Sequence, residues 1–161
     1  IPGRSIVDLS AETTERICDK APNVVAIKDA TGNVLRCQEL KRRLGDRLTV
    51  LSGDDALTLP MMAAGASGVI SVTANVRPRE VSEVTRLVEA GSFAKAREAH
   101  FKLLDLHGLM FVDPNPAPAK AALAGVGRMS ASVRLPLVPA SEPTRLKISE
   151  ALSRLDAARA S

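Results

Sequence analysis

The chain has 161 residues, of which 45% are hydrophobic and 25% are charged, a balance typical of a globular domain with a sizeable core. No apolar run approaches the ~18 residues that a membrane span requires, and no secretory signal opens the sequence. We therefore expect a cytoplasmic protein without a membrane partner.

The net charge of +4 and the pI near 9.4 raise the question of nucleic-acid binding. However, the chain has no Trp or Tyr and three Phe, so aromatic platforms for stacking bases are scarce. Its basic residues also alternate with acidic ones, as in residues 77–80. This pattern favours a mixed, solvated surface over a nucleic-acid partner.

The elements in chain order begin with Ile1, and residues 1–4 have the character of a loop. We interpret this opening as that of a fragment, or of a chain processed from a longer one. Three runs rich in β-branched residues follow, and near-continuous apolarity predicts parallel strands covered on both faces. These predicted strands are residues 24–27, 48–51 and 68–72.

Amphipathic segments between and after these runs predict helices. Ser10 is suited to cap the first of them, and Gly45, Gly65 and Gly91 to end later ones. Residues 113–118 are rich in proline and predict a stiff loop. The predicted helices are residues 11–20, 34–44, 56–64, 79–90, 92–107 and 119–124, and a last one from about Ser141. The strand-helix alternation fits either part of a (β/α)₈ barrel or a doubly wound sheet, and three strands alone favour neither.

Polar residues follow each predicted strand, where parallel α/β folds collect their functional groups. Lys28 comes directly after the first apolar run, so we expect its stem to run through apolar surroundings that disfavour the charged ammonium. A neutral amine is what imine formation with a carbonyl substrate needs. The alternative is that Lys28 reaches the surface or pairs with Asp29.

Other polar residues have simpler explanations. Asp54 and Asp55 point to opposite faces if they extend a strand, so a helix cap is favoured over a shared metal or acid–base site. His100 and His107 share one face of a predicted helix and are interpreted as packing residues. The thiols of Cys18 and Cys37 lack CxxC spacing, which favours buried free cysteines. We expect no metal and no cofactor.

Five blocks of the sequence, in order, resemble the dihydrodipicolinate synthase family of class I aldolases. They are PGR at residues 2–4, AIKDATG at 26–32, LSGDD at 51–55, GVISVTAN at 68–75 and FVDPNP at 111–116. The resemblance implies the C-terminal half of a (β/α)₈ TIM barrel in residues 1–90 and a C-terminal helical domain in residues 91–161. It also implies condensation of pyruvate with aspartate semialdehyde, a homo-oligomer, and a role in lysine and diaminopimelate biosynthesis.

The same resemblance implies a role for each matching residue. Lys28 corresponds to the Schiff-base lysine, and Arg4 to the arginine that holds the carboxylate of aspartate semialdehyde. Gly53 and the backbone of Ile70 correspond to groups that line the pyruvate pocket. The tyrosines and threonine of the family's proton relay lie upstream of the matching blocks, and this chain has no Tyr. A related lyase, such as an N-acetylneuraminate or keto-sugar-acid lyase, and a non-catalytic half-barrel remain the alternatives.

Overall fold

A computed structural model of the protein describes the backbone of residues 1–160 and the side chains of residues 1–158. Three strands and eight α-helices are present over this range, with short 3₁₀ turns at Gly45–Arg47, Asp55–Leu57 and Thr73–Asn75. In chain order they are α1 (Pro2–Ser5), α2 (Ala11–Lys20), β1 (Ala26–Asp29), α3 (Val34–Leu44), β2 (Thr49–Ser52), α4 (Thr58–Ala63), β3 (Gly68–Val69), α5 (Pro78–Glu89), α6 (Phe93–Leu109), α7 (Ala117–Gly125) and α8 (Glu142–Ala160).

Helices α2 and α3 have the predicted bounds because their sequences carry explicit start signals. Ser10 accepts a hydrogen bond from the Thr13 N–H at 3.1 Å, and Asn33 accepts one from the Leu35 N–H at 3.0 Å. These bonds satisfy backbone donors that the first turn of a helix otherwise leaves open. Cys37, Leu40 and Leu44 form the buried stripe of α3, as its spacing predicts.

Several predicted boundaries are wrong, and the first strand covers Ala26–Asp29 rather than residues 24–27. The opening loop is the single helical turn α1, and residues 56–64 divide into a 3₁₀ turn and α4. The third strand ends at Val69 rather than at residue 72 because only Gly68 and Val69 pair with β2. Helix α7 begins at Ala117, inside the predicted loop; Pro118 is compatible with this start because the first turn needs no N–H at that position.

The sheet is parallel, with the order β1-β2-β3. Its register aligns Lys28 with Leu51, and Leu51 with Gly68. Consecutive strands are therefore neighbours, and the carboxyl ends of all three lie at one edge of the sheet.

The chain divides into two compact units, of which the first comprises residues 1–71 and 84–97. Its main core lies between one face of the sheet and helices α2, α3 and α4. Val50 from β2 packs there with side chains from each of these helices: Ala11, Cys18, Cys37, Leu40, Leu44 and Met61. A smaller cluster joins Met62 of α4 to Val88 and Ala96.

The other face of the sheet is not covered in the same way. In β1 the alternate residues Ala26 and Lys28 are exposed, whereas Asp29 is buried and Ile27 packs against the main core. The expectation of strands covered on both faces is therefore wrong for this structure. Among the described residues of this unit, helices lie against one face alone. The period of two along the strand therefore separates a packed set of side chains from an open set.

The second unit comprises residues 72–83 and 98–161. Leu106 and Met110 pack against Ala119 and Ala122 of α7 and against α8 through Ile148 and Leu152. The small alanine side chains allow α7 to approach its neighbours closely. The domain boundary near residue 90 stays a prediction. The first unit contains the end of α5 and the start of α6, and the second unit contains the rest of both helices.

Within the described residues, no helix is long and apolar enough to cross a membrane. Nor does that part of the chain contain a group of three or more His, Cys, Asp or Glu side chains placed to hold a metal ion.

Candidate functional site

Lys28 is the third residue of β1 and lies on the open face of the sheet. Its side chain is exposed, so the apolar surroundings expected from the preceding run are absent. The alternative of a pair with Asp29 is also wrong, because Asp29 lies on the opposite, buried face and contacts Thr31 and Arg36. The ammonium makes no hydrogen bond or ion pair with any residue that the structure describes.

Gly53 directly follows β2 and lies against the Lys28 side chain. A Cβ built on Gly53 would stand 3.0 Å from the Lys28 Cε, 3.0 Å from the Ala30 Cα and 2.5 Å from the Ala30 Cβ. Contacts under 3.0 Å do not occur for real Cβ atoms. The position therefore requires glycine because two chain segments approach closely there.

Ile70 directly follows β3 and continues the same edge. Its N–H donates to the Ser52 carbonyl at 2.8 Å, which fixes the backbone just after the strand. The side chain is 46% exposed. The structure thus places Lys28, Gly53 and Ile70 at the carboxyl ends of three adjacent strands.

Arg4 lies in α1, and its side chain is exposed. The helix ends at Ile6, which has a φ of 61°. This left-handed conformation is rare for a β-branched residue and is maintained only where surrounding structure holds it. The segment that carries Arg4 therefore depends on how residues 7–9 are anchored.

That anchor is Arg36, which sequence reasoning missed. Its Nη1 donates to Asp8 Oδ1 at 2.8 Å, its Nη2 donates to the Leu9 carbonyl, and its Nε lies 3.2 Å from Asp29 Oδ2. Arg36 is on the buried face of α3, one turn before Leu40. A charged residue within an apolar helical stripe was the available sequence signal.

The two aspartates after β2 have separate tasks. Asp54 Oδ1 accepts the Ala56 N–H at 2.9 Å, so the predicted cap is confirmed. Asp55 is buried, and its carboxylate accepts a hydrogen bond from the Ser71 hydroxyl. Because Ser71 follows Ile70, this bond ties the segment after β3 to the segment after β2.

The histidines and cysteines are buried, as predicted. The His100 and His107 rings lie 5.6 Å apart between centroids, and His107 Nδ1 is 2.8 Å from Thr73 Oγ1. Both cysteines are free thiols. Burial, and secondly the charge of Asp29, raise the pKa of the Cys37 thiol, so it is a poor nucleophile.

Comparison with known proteins decides the family. The family model described as the Dihydrodipicolinate synthetase family matches residues 1–155. The chain belongs to this family. Membership agrees with the resemblance seen in the five sequence blocks, four of which supply the candidate site residues at the sheet edge or on α1.

Members of the dihydrodipicolinate synthetase family match nearly the full chain. The 4-hydroxy-tetrahydrodipicolinate synthase of Sorangium cellulosum is 76% identical over 159 residues, which cover 99% of this chain and 53% of that protein. The crystal structure of dihydrodipicolinate synthase from Aquifex aeolicus matches with a TM-score of 0.94 and 44% identity over 97% of this chain and 53% of that one.

A third family member was solved as a complex. The dihydrodipicolinate synthase from Acinetobacter baumannii complexed with pyruvate matches with a TM-score of 0.90 and 41% identity. It covers 95% of this chain and 52% of that one. The chain thus spans about half the length of the relatives it matches.

Proposed function

We propose that this chain supplies the Schiff-base lysine of a lyase that condenses pyruvate with L-aspartate 4-semialdehyde to give 4-hydroxy-tetrahydrodipicolinate. The single observation that carries the proposal is Lys28, a lysine with no ion-pair partner among the described residues, on the open sheet face against Gly53. Family membership and the 76% identical synthase from Sorangium cellulosum support the reaction.

The chemistry follows from a primary amine held at a strand end. Lys28 Nζ attacks the ketone carbon of pyruvate, and water leaves as the imine forms. Loss of a proton from the pyruvate methyl group gives an enamine, whose carbon attacks the aldehyde of the second substrate. Cyclisation by the substrate's own amine then breaks the bond to Lys28 and restores the free lysine.

The other predicted site residues supply binding groups. The backbone at Ile70 is fixed by its bond to Ser52 and lines the pyruvate pocket. Gly53 leaves room beside Lys28. The Arg4 guanidinium is suited to bind the carboxylate of aspartate semialdehyde, because its planar donors match two carboxylate oxygens.

We also propose that the three strands are part of a (β/α)₈ barrel in a cytoplasmic homo-oligomer. Two observations support the barrel: consecutive strands are parallel neighbours, and helices cover one face while the other carries the site. In such barrels the active site lies at the carboxyl ends of the strands.

Borohydride trapping tests the proposal in the full-length gene product that contains these residues. With pyruvate, we expect one reduced adduct on Lys28, located by peptide mass spectrometry and absent from Lys28→Ala. Lys20→Ala, which removes an exposed lysine at the end of α2, should keep the adduct. An adduct that persists in Lys28→Ala would place the nucleophile elsewhere.

Two alternatives predict different results. A non-catalytic half-barrel gives no adduct with pyruvate in any variant. Another pyruvate aldolase, of the N-acetylneuraminate or keto-sugar-acid type, gives the same adduct but prefers a different aldehyde, which a panel of aldehyde substrates would reveal.

A further inference from the structure

We infer that Arg36 is a positioning residue that holds the segment bearing Arg4 at a fixed place relative to the strand end bearing Lys28. The inference rests on the proposed function and extends it to the binding of the second substrate. Its basis is one buried guanidinium that contacts both segments. These segments are residues 8–9, which follow α1, and Asp29, which follows Lys28.

The contact with Asp29 is a close charge pair rather than a hydrogen bond. Arg36 Nε lies 3.2 Å from Asp29 Oδ2, but neither atom has a hydrogen-bond partner among the described residues, since the N–H does not point at the oxygen. The two side chains are 9% and 1% exposed. A buried ion pair without a hydrogen bond contributes little to stability. We therefore explain this pair by the position that it gives to the neighbouring chain segments.

The opposite side of the guanidinium contacts the chain after α1. Nη1 donates to Asp8 Oδ1 at 2.8 Å, and Nη2 donates to the Leu9 carbonyl. The Asp29 carboxylate is itself held, because its Oδ1 accepts the Thr31 N–H at 2.9 Å and the Thr31 hydroxyl at 2.7 Å. The guanidinium is thus fixed against β1 and holds residues 8–9 in turn.

The left-handed Ile6 explains why this anchor affects Arg4. A backbone conformation that β-branched residues disfavour relaxes when the flanking chain is released. Asp8 lies two residues beyond Ile6, and Arg4 two residues before it. Without the anchor, α1 and Arg4 lose their fixed distance from Lys28, whereas Lys28 itself stays held by the ladder between β1 and β2.

The consequence is a selective effect on the second substrate. A displaced Arg4 weakens binding of a carboxylate-bearing aldehyde and leaves imine formation with pyruvate unchanged. The clearest variant is Asp8→Ala, because Asp8 is 55% exposed and its removal leaves no carboxylate buried without a partner. Asp19→Ala is the matched control: it removes an aspartate that is 54% exposed and pairs with Arg47, also 28 residues away in the same unit.

The experiment measures steady-state kinetics and borohydride trapping on the full-length gene product. We expect Asp8→Ala to raise KM for aspartate semialdehyde about tenfold relative to Asp19→Ala while kcat changes less than about twofold. The yield of the reduced pyruvate adduct should equal that of Asp19→Ala. Arg36→Lys should give the same rise in KM, because an ammonium cannot reach all three partners of the guanidinium.

Two results would overturn the inference: a KM for the aldehyde within about twofold of the control, or an equal loss of pyruvate trapping. If Arg36→Lys does not fold, Asp8→Ala still decides. Failure of the proposed function has a separate signature, since it leaves an adduct in Lys28→Ala or no adduct in the wild-type protein.

Discussion

The Lys28 Cε lies 3.0 Å from the point where a Cβ of residue 53 would stand, so a side chain at position 53 would displace the end of the Lys28 side chain. The crowding comes from two directions, because Ala30 is closer still. Lysine and glycine are therefore coupled through packing, although 25 positions separate them in the sequence.

Gly53→Ala should damage both stability and imine formation. The new methyl group would meet Ala30, a short side chain and backbone that cannot turn aside, and would press on Lys28. Overpacking of this kind costs about 1–3 kcal/mol of unfolding free energy. Urea unfolding and borohydride trapping with pyruvate would measure the two effects.

The control for that variant is Gly108→Ala. Gly108 lies in α6, and an added Cβ there has nothing within 4 Å. Alanine favours a helix over glycine by about 0.5–1 kcal/mol, so this variant should be as stable as the wild type or more so. A Gly53→Ala variant with the same urea midpoint as the wild type would contradict the close packing around residue 53.

Arg4→Ala should weaken use of aspartate semialdehyde more than use of pyruvate. A charge-assisted bond to a carboxylate contributes about 1.5–3 kcal/mol, which corresponds to a rise in KM of roughly tenfold or more. Arg42→Ala, which removes an exposed arginine of α3, should leave both values of KM unchanged. Equal losses for the two substrates would mean that Arg4 has a structural role.

Ser71→Ala should destabilise the first unit, because it removes a donor from the buried Asp55 carboxylate. Loss of one hydrogen bond to a buried charged group costs about 1.5–3 kcal/mol. Ser130→Ala removes an exposed serine–serine bond and should have no measurable effect on the urea midpoint. The idea fails if the two variants unfold at the same midpoint.

Asp113 should make stability depend on acidity. The Ser141 N–H donates to Asp113 Oδ2 at 2.9 Å. This bond, followed by one from the Thr144 hydroxyl, holds the pKa of Asp113 below its ordinary value. As pH falls, Asp113 is protonated in the unfolded chain before it is protonated in the folded one. Its contribution to the free energy of unfolding is therefore full above the ordinary pKa of about 3.9 and disappears below the lowered pKa of the folded state.

The measurement for Asp113 compares the wild type with Asp113→Asn by urea unfolding across this range. The amide cannot titrate, so the stability advantage of the wild type should shrink as pH falls from about 6 to about 3. Two curves that stay parallel throughout would show that Asp113 does not contribute to acid sensitivity.

A polypeptide of these 161 residues by itself should not catalyse the condensation. Its sheet has two outer strands, β1 and β3, and an open face with exposed apolar groups such as Ile70. Positioned proton transfer contributes about 10²–10⁴-fold to such reactions, and no Tyr is present to provide it. A coupled assay beside the Sorangium cellulosum synthase tests this, and turnover within about tenfold of that enzyme would refute it.

The sequence predicts the helices better than the strands. Helices α2 and α3 carry capping side chains and glycine stops, which act locally. The extent of β3 depends instead on which residues find a partner in β2, a long-range property that apolar runs do not encode. The open face of β1 could not be predicted either, because an apolar run does not specify which face of the strand the helices cover.

Of the candidate site, the residues at or just beyond the carboxyl ends of the strands could be predicted, since their position depends on topology. Lys28, Gly53 and Ile70 lie at one edge for that reason. The Arg36 anchor could not be predicted, because its partners Asp8 and Asp29 lie 28 and 7 positions away and the sequence does not show that they converge. An arginine in an apolar helical stripe indicates that it has a buried partner, but it does not indicate which residue the partner is.

The alternation along β1 and β2 has a consequence for engineering new specificity. Residues such as Ile27 and Val50 maintain the packing, while Ala26 and Leu51 share the face of Lys28. A mutagenesis library confined to the second set would vary the surroundings of the amine without disturbing the core. Such a library would vary the proposed substrate site at little risk to folding.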